Sequence, residues 1–178
     1  MISSILDFTQ RTLSGHIRDT PDFQKRGVVL GRIVEPNGTV DDRLSGNVVI
    51  CLANIVKQSS LSGTLGYKSP ASAQVPVPSN YTLYILCTAF ESNYLDVLRL
   101  LDVVMKFFDA TPVMNHRNFP GLPTEIEKLE FAMENLSFEQ LQSVWTAMGA
   151  KYQPSVVYKV SVTRVFQGPS SVTADEEI

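Results

Sequence analysis

Residues 126–166 read IEKLEFAMENLSFEQLQSVWTAMGAKYQPSVVYKVSVTRVF, and two periodicities alternate along them. From Ile126 to Glu134, the apolar Leu129, Phe131 and Met133 alternate with Lys128, Glu130 and Glu134, the two-residue period of a strand with one wetter face. Leu136-Ser137-Phe138-Glu139-Gln140-Leu141 then opens a helix. Ser137 is placed to accept a backbone hydrogen bond as N-cap, Gln140 to reach back as its capping-box partner, and Leu136 and Leu141 to form a hydrophobic staple. Gly149 supplies the left-handed stop. The spacing predicts Phe138, Leu141, Val144, Trp145 and Met148 as the buried stripe of this helix. From Val156 to Phe166, Val156, Tyr158, Val160 and Val162 alternate with Lys159, Ser161 and Thr163, again a strand with one polar face. An antiparallel pair and a parallel crossover are both open for these two strands, since the helix between them is about as long as a crossover needs.

Upstream lie Asn47 to Lys57 and Tyr81 to Phe90, two strands apolar on both sides. Val48, Ile50 and Leu52 face one way and Val49, Cys51, Ala53 and Ile55 the other, which places such strands mid-sheet with both faces covered. Tyr94 to Asp109 is a helix whose polar stripe is narrow: Asp96 with Arg99 and Asp102 with Lys106, pairs worth only about a few tenths of a kcal/mol. So apolar a helix calls for cover beyond one sheet face, from the N-terminal helix or a neighbouring subunit. Ile2, Ile5, Leu6, Thr9, Leu13 and Ile17 mark an amphipathic opening helix that ends at Asp19-Thr20-Pro21. Gly27 to Val34 follows as a strand, with a turn at Glu35-Pro36-Asn37-Gly38. The result is an α/β fold of the α+β kind: a central, mostly antiparallel sheet of about five strands with three helices, in one domain over residues 1–167 and a solvated tail over 168–178. Ser59 to Ser79, with two Gly, three Pro and many Ser, and Thr111 to Thr124, with Pro112, Pro120 and Pro123, are candidate contact loops, because long structureless connections are uncommon unless they bind something or are mobile.

The chain has 178 residues, with 18 acidic and 15 basic side chains and 44% hydrophobic content. So small a charge excess argues against nucleic acid, whose ligands concentrate Lys and Arg on one face. Cys51 and Cys87 form no CxxC pair, which points away from a disulfide framework or a zinc cluster and towards a reducing compartment. The first residues lack the cationic start and apolar run of a secretory signal, and Leu95 to Phe108 is too short and too interrupted by charge to span a bilayer, so no membrane insertion is expected.

No catalytic constellation emerges. His16, near the end of a helix, reads as a surface position, and His116, in the Pro-flanked loop, reads first as a surface loop residue and is the better of the two candidates for a base. Both cysteines fall in central strands, where a thiol behaves as a small hydrophobe. Glu125, Glu127, Glu130 and Glu134 belong to a solvated strand face. Trp145 and the pair Phe107 and Phe108 read as core. HExxH, GxSxG and Walker-type strings are missing, and Gly63 to Gly66 is too short to cradle a phosphate. Neither a cofactor nor a metal is expected.

The alternating strand, the Leu136-Ser137-Phe138-Glu139-Gln140-Leu141 helix with Trp145 one turn before Gly149, and Tyr152-Gln153-Pro154-Ser155-Val156-Val157-Tyr158 entering a strand resemble the N-terminal domain of cap proteins of phage-tail-like contractile injection systems. The likeness extends upstream over Tyr81 to Pro112. It implies a phage tail-terminator-like fold and a subunit of a hexameric ring that ends the inner tube and the sheath and holds the sheath extended. It also implies tube and sheath proteins as partners, and cytoplasmic assembly into a particle that is retained or released. Some caps of this group carry a further C-terminal region, whereas this chain stops soon after Phe166. Sheath subunits in such systems link by exchanging strands, so Val156 to Phe166 is the candidate exposed edge, with Lys159, Ser161 and Thr163 on its polar side. Arg99 and Lys106 on the apolar helix are candidates for ring contacts. Tyr67, Lys68, Arg117, Asn118 and Phe119 are candidates for loop contacts. An adaptor at another ring of the same machine, or a small enzyme using His116, are the alternatives.

Overall fold

A computed structural model of the protein describes residues 1–58 and 80–165. In chain order these form α1 (Ile2–Asp19), β1 (Val28–Leu30), β2 (Asn47–Lys57), β3 (Tyr81–Phe90), α2 (Tyr94–Ala110), β4 (Val113–Asn115), β5 (Ile126–Met133), α3 (Phe138–Ala147) and β6 (Ser155–Arg164). The strands make one sheet in the order β1-β2-β3-β6-β5-β4, in which β1 is parallel to β2 and every other neighbouring pair is antiparallel. The fold is therefore the expected α+β class with three helices. Its sixth strand, β4, lies inside the Pro-rich segment read above as a contact loop. β1 is shorter than its apolar run because the chain leaves the ladder after Gly31, and Ile33 turns to the opposite face of the sheet. Gly38, at φ +83°, closes the predicted turn, with Gly38 N–H on the Glu35 carbonyl.

β5 and β6 are antiparallel neighbours with α3 as their connection, so no crossover is made. The placement of β6 overturns one expectation. It lies between β3 and β5 with both edges paired, so it is the centre of the sheet rather than an exposed edge.

One face of the sheet is covered by α1 and α2. Ile5, Phe8, Leu13 and Ile17 of α1 and Leu100, Val104 and Phe108 of α2 pack on Val48, Ile50, Leu83, Ile85, Val160 and Val162. Each such side chain, fully buried, contributes about 1.5–3 kcal/mol. Phe108 anchors this layer, stacked on Phe131 with centroids 4.7 Å apart and tilted on Tyr158 at 4.4 Å. α1 thus supplies the extra cover that α2 needs, but only in part: Tyr94, Leu95 and Leu98, in the first turns of α2, stay exposed.

The opposite face carries a smaller cluster, Ile33, Leu86, Trp145 and Val157, under α3. The predicted cap is present in full: Gln140 N–H donates to Ser137 Oγ and Ser137 N–H to Gln140 Oε1. Gly149 takes φ +67° as the stop. Trp145 is buried and its Nε1–H donates to Ser155 Oγ at 3.1 Å, while Leu141, Val144 and Met148 are half-buried beside it. Phe138 departs from the predicted stripe. As the first residue of the helix it stands two turns from Trp145, outside the contact with the sheet, and is 75% exposed. A register shift between Leu52 and Asn54 also alters the second half of β2: Ile55 comes opposite Leu83 on the α1/α2 side instead of joining Val49 and Cys51. Past Ile50, β2 is half-buried to exposed, so the prediction of cover on both faces holds only for its first half.

Candidate assembly surface

Sheet edges carry rows of unpaired backbone N–H and C=O groups, which template further pairing unless something covers them. In an antiparallel ladder the two backbone groups of a residue point to the same side, and successive residues alternate. Phe131 N–H donates to the Pro112 carbonyl at 2.8 Å, so Met114 points its groups at β5, and Val113 and Asn115 point theirs outward. Three of those four outward groups are occupied. Asn118 Nδ2 donates to the Val113 carbonyl, Asn115 N–H donates to Asn118 Oδ1, and Phe119 N–H donates to the Asn115 carbonyl, all at 2.8 Å. At the other end, Gly27 and Gly31 bond β2, which turns the Val28 carbonyl outward, where Gln10 Nε2 donates to it at 2.7 Å.

β2 differs. It pairs with β1 only from Val48 to Ile50, and among the described residues no strand lies on that side beyond this point. Gln58 N–H bonds the Asn80 carbonyl, so Asn54 and Val56 point at β3, and Ile55 and Lys57 point outward. The Ile55 N–H is met by the neighbouring Asn54 Oδ1 at 2.8 Å. Ile55 and Val56 are 43% and 42% exposed. Beside this open run, between β2 and α3, lies an apolar groove of about 490 Å³ lined by Cys51, Asn54, Tyr84, Leu136, Val144 and Met148.

A second apolar feature centres on the exposed Tyr152. It joins a hollow of about 340 Å³ formed with Phe138 and Trp145 to one of about 500 Å³ formed with Leu98, Met105 and Val156, which links the start of α3 to the outer face of α2. Scattered exposed apolar residues are ordinary, whereas a continuous strip of this kind is a candidate contact surface.

The residues singled out from sequence fall as follows. Arg99 and Lys106 lie on the exposed side of α2, held to Asp96 at 3.1 Å and Asp102 at 2.7 Å as predicted; Arg99 borders the Leu98 hollow. Lys159, Ser161 and Thr163 are half-buried on the sheet face opposite α1 and α2, beyond α3, and form no edge. Arg117 is exposed in the β4–β5 connection. Asn118 is turned back on β4, and Phe119 packs edge-on against Phe8 at 6.0 Å, so this segment seals the fold more than it offers a loop. Tyr67 and Lys68 lie outside the described residues. The open β2 edge and the edge-capping amides of Gln10 and Asn118 were not foreseen. The one signal for the latter was the Asn115-x-x-Asn118 spacing, which favours a local side-chain turn.

The groups weighed for catalysis are dispersed. His116 Nε2 is 2.8 Å from the Ile126 carbonyl, which latches the β4–β5 connection, and His16 rests its ring on Phe107 at 5.1 Å. Burial pushes the Cys87 thiol up to about 12 and also raises Cys51, where contact with the Ile33 backbone partly offsets it, so both stay protonated thiols. Lys128 pairs with Glu130 at 3.2 Å across the wet side of β5. No group of metal-ligating side chains occurs among the described residues, and no helix there is long and apolar enough to cross a membrane.

Comparison with known proteins gives the surface its context. No curated protein sequence matches the chain. Among solved structures it is similar to the sheath/tube terminator of an extracellular contractile injection system, PVC, determined by cryo-EM in the extended state, with a TM-score of 0.57 and 16% identity. The alignment covers 100% of this chain and 61% of that one, so the two share a fold while this chain spans about three fifths of the terminator's length. Residues 7–174 match the Pvc16 N-terminal domain, nearly the whole sequence, and the chain therefore belongs to the Pvc16 N-terminal domain family.

Proposed function

We propose that this chain is a tail terminator of a contractile injection system: a structural cap, not an enzyme, that closes the far end of the inner tube and sheath. The observation that carries the reading is the family match over residues 7–174, joined to the fold shared with a sheath/tube terminator. In this reading the subunits close head to tail into a hexameric ring through the strip around Tyr152, Leu98 and Phe138, because a heterologous contact that closes makes a ring. The last sheath strands pair with the β2 edge from Leu52 to Lys57, which no described strand covers and where only the Ile55 N–H has a local partner, and an apolar side chain of the added strand enters the groove beside α3. The edges at β1 and β4 are partly capped, by Gln10 on the Val28 carbonyl and by Asn118 and Phe119 on β4, which disfavours further pairing there, as ending a polymer requires. Assembly takes place in the cytoplasm, and the cap travels on a released particle, as on the extracellular system whose terminator has this fold.

Removing the chain and measuring particle lengths tests the role. A terminator predicts tubes or sheaths of uncontrolled length, and an unchanged length distribution contradicts it. Lys57→Pro tests the edge: it deletes an outward N–H while leaving the bonds of Val56 and Gln58 to the β3 side. It is expected to keep the fold and lose sheath capture.

A further inference from the structure

We infer that Asn118 is a strand surrogate that keeps second copies of this chain from pairing on β4. The inference stands on β4 alone and is independent of the proposed cap role. β4 is a three-residue strand at the end of the six-stranded sheet. Its outward side presents the backbone N–H and C=O of Val113 and of Asn115. A further antiparallel strand would bring peptide groups to these positions, donating to each carbonyl and accepting from each N–H. Asn118 brings the same chemistry in one side chain. Its amide nitrogen donates to the Val113 carbonyl and its amide oxygen accepts from Asn115 N–H, at 2.8 Å each.

The amide is held in place from the other direction. Asn115 Oδ1 accepts from Arg117 N–H at 2.9 Å and from Asn118 N–H at 3.3 Å, and Phe119 N–H closes onto the Asn115 carbonyl. Phe119 and Leu122 then anchor the segment in the core against Phe8 and its neighbours. Three of the four outward groups of β4 are thus spent within the chain, leaving the Val113 N–H. The surrogate is chosen over a longer strand because Pro112 and Pro120 bracket the segment and limit how far a ladder can run. Without it, β4 would present three free outward groups, Val113 N–H, the Val113 carbonyl and Asn115 N–H, and two copies could join β4 to β4 in the self-complementary manner of a twofold contact.

The test compares Asn118→Ala with the wild-type chain by sedimentation velocity at matched concentrations. The expected result is a shift to a species twice the wild-type mass that grows with concentration, at unchanged circular dichroism. The double variant Asn118→Ala with Val113→Pro should return to the wild-type sedimentation coefficient, since Pro removes one of the two outward donors that Asn118→Ala leaves, Val113 N–H and Asn115 N–H, and sets its ring where a partner strand would lie. That rescue is one a purely structural role for Asn118 would not show. Asn118→Ala sedimenting as the wild type does, or self-association that Val113→Pro fails to reverse, overturns the inference. Hydrogen exchange on the wild-type chain guards against a variant that fails to fold. The Asn115 amide should exchange at least tenfold more slowly than that of the exposed His116 next to it, whose backbone N–H has no partner among the described residues, and equal rates contradict the surrogate.

Discussion

The two faces of the sheet are built from the same strands yet differ in how completely they are finished. On the α1/α2 face, buried side chains from two helices and from β2, β3, β5 and β6 form one continuous core. On the α3 face the buried cluster is four residues, and around it lie the open groove, the half-buried Lys159, Ser161 and Thr163, and the exposed Phe138 and Tyr152. The first face stabilises the subunit. The second carries most of the surface that the proposed contacts would use, continued by Leu98 and Met105 of α2.

Truncating a side chain on each face should separate these roles. Phe108→Ala removes the ring that touches Phe107, Phe131 and Tyr158 and should cost about 3–5 kcal/mol, a large part of a typical total stability of roughly 5–15 kcal/mol. A denaturant midpoint reads this directly. Trp145→Ala should fall near the lower end of the same range, about 3 kcal/mol, and act locally. Amides of α3 should then exchange faster while those of α1 and α2 keep their protection. Equal loss of protection on both faces would mean that the faces are not separable.

The contrast also explains what could be read in advance. The α3 helix was legible to its ends because Ser137, Gln140 and Gly149 act within a few residues of one another. The strands of the continuous core were legible because burial imposes a period, and β2, β3 and β5 match their predicted spans within a residue. Strand order was not, since pairing of β6 with β3 joins residues such as Leu86 and Val157 that nothing local relates. β4 escaped because three residues after a proline carry too little pattern. Phe138 has the right spacing for a core position, yet the sheet does not extend beneath it. The candidate surface was legible only in outline: the excess apolar surface of α2 was evident, the open edge of β2 was not.

Smaller effects refine the comparison. Ser137→Ala breaks half of the capping box and should cost about 1 kcal/mol, confined to the α3 face and again visible in the exchange of its first turn. Alkaline pH probes the finished face. Cys87 is raised from 9.0 to about 12 by burial, so above pH 9 the unfolded chain loses its proton first and stability falls towards pH 12. At pH 10 this amounts to about 1 kcal/mol, and Cys87→Val should remove that part of the alkaline slope while stability near pH 7 stays close to wild type. Phe138→Ala should change stability least, by no more than about 0.5 kcal/mol, because the ring is 75% exposed. It should nonetheless weaken association between subunits, measured by sedimentation, if the Tyr152 strip is the ring contact.

The central claim is that the chain ends the tail, and a cryo-EM reconstruction of the tail end distal to the baseplate tests it most directly. The account predicts a ring of this chain stacked on the last tube and sheath layers, with an added strand on β2 and none on β4. Particles whose distal end lacks this chain, or density for it only at the baseplate, would contradict it.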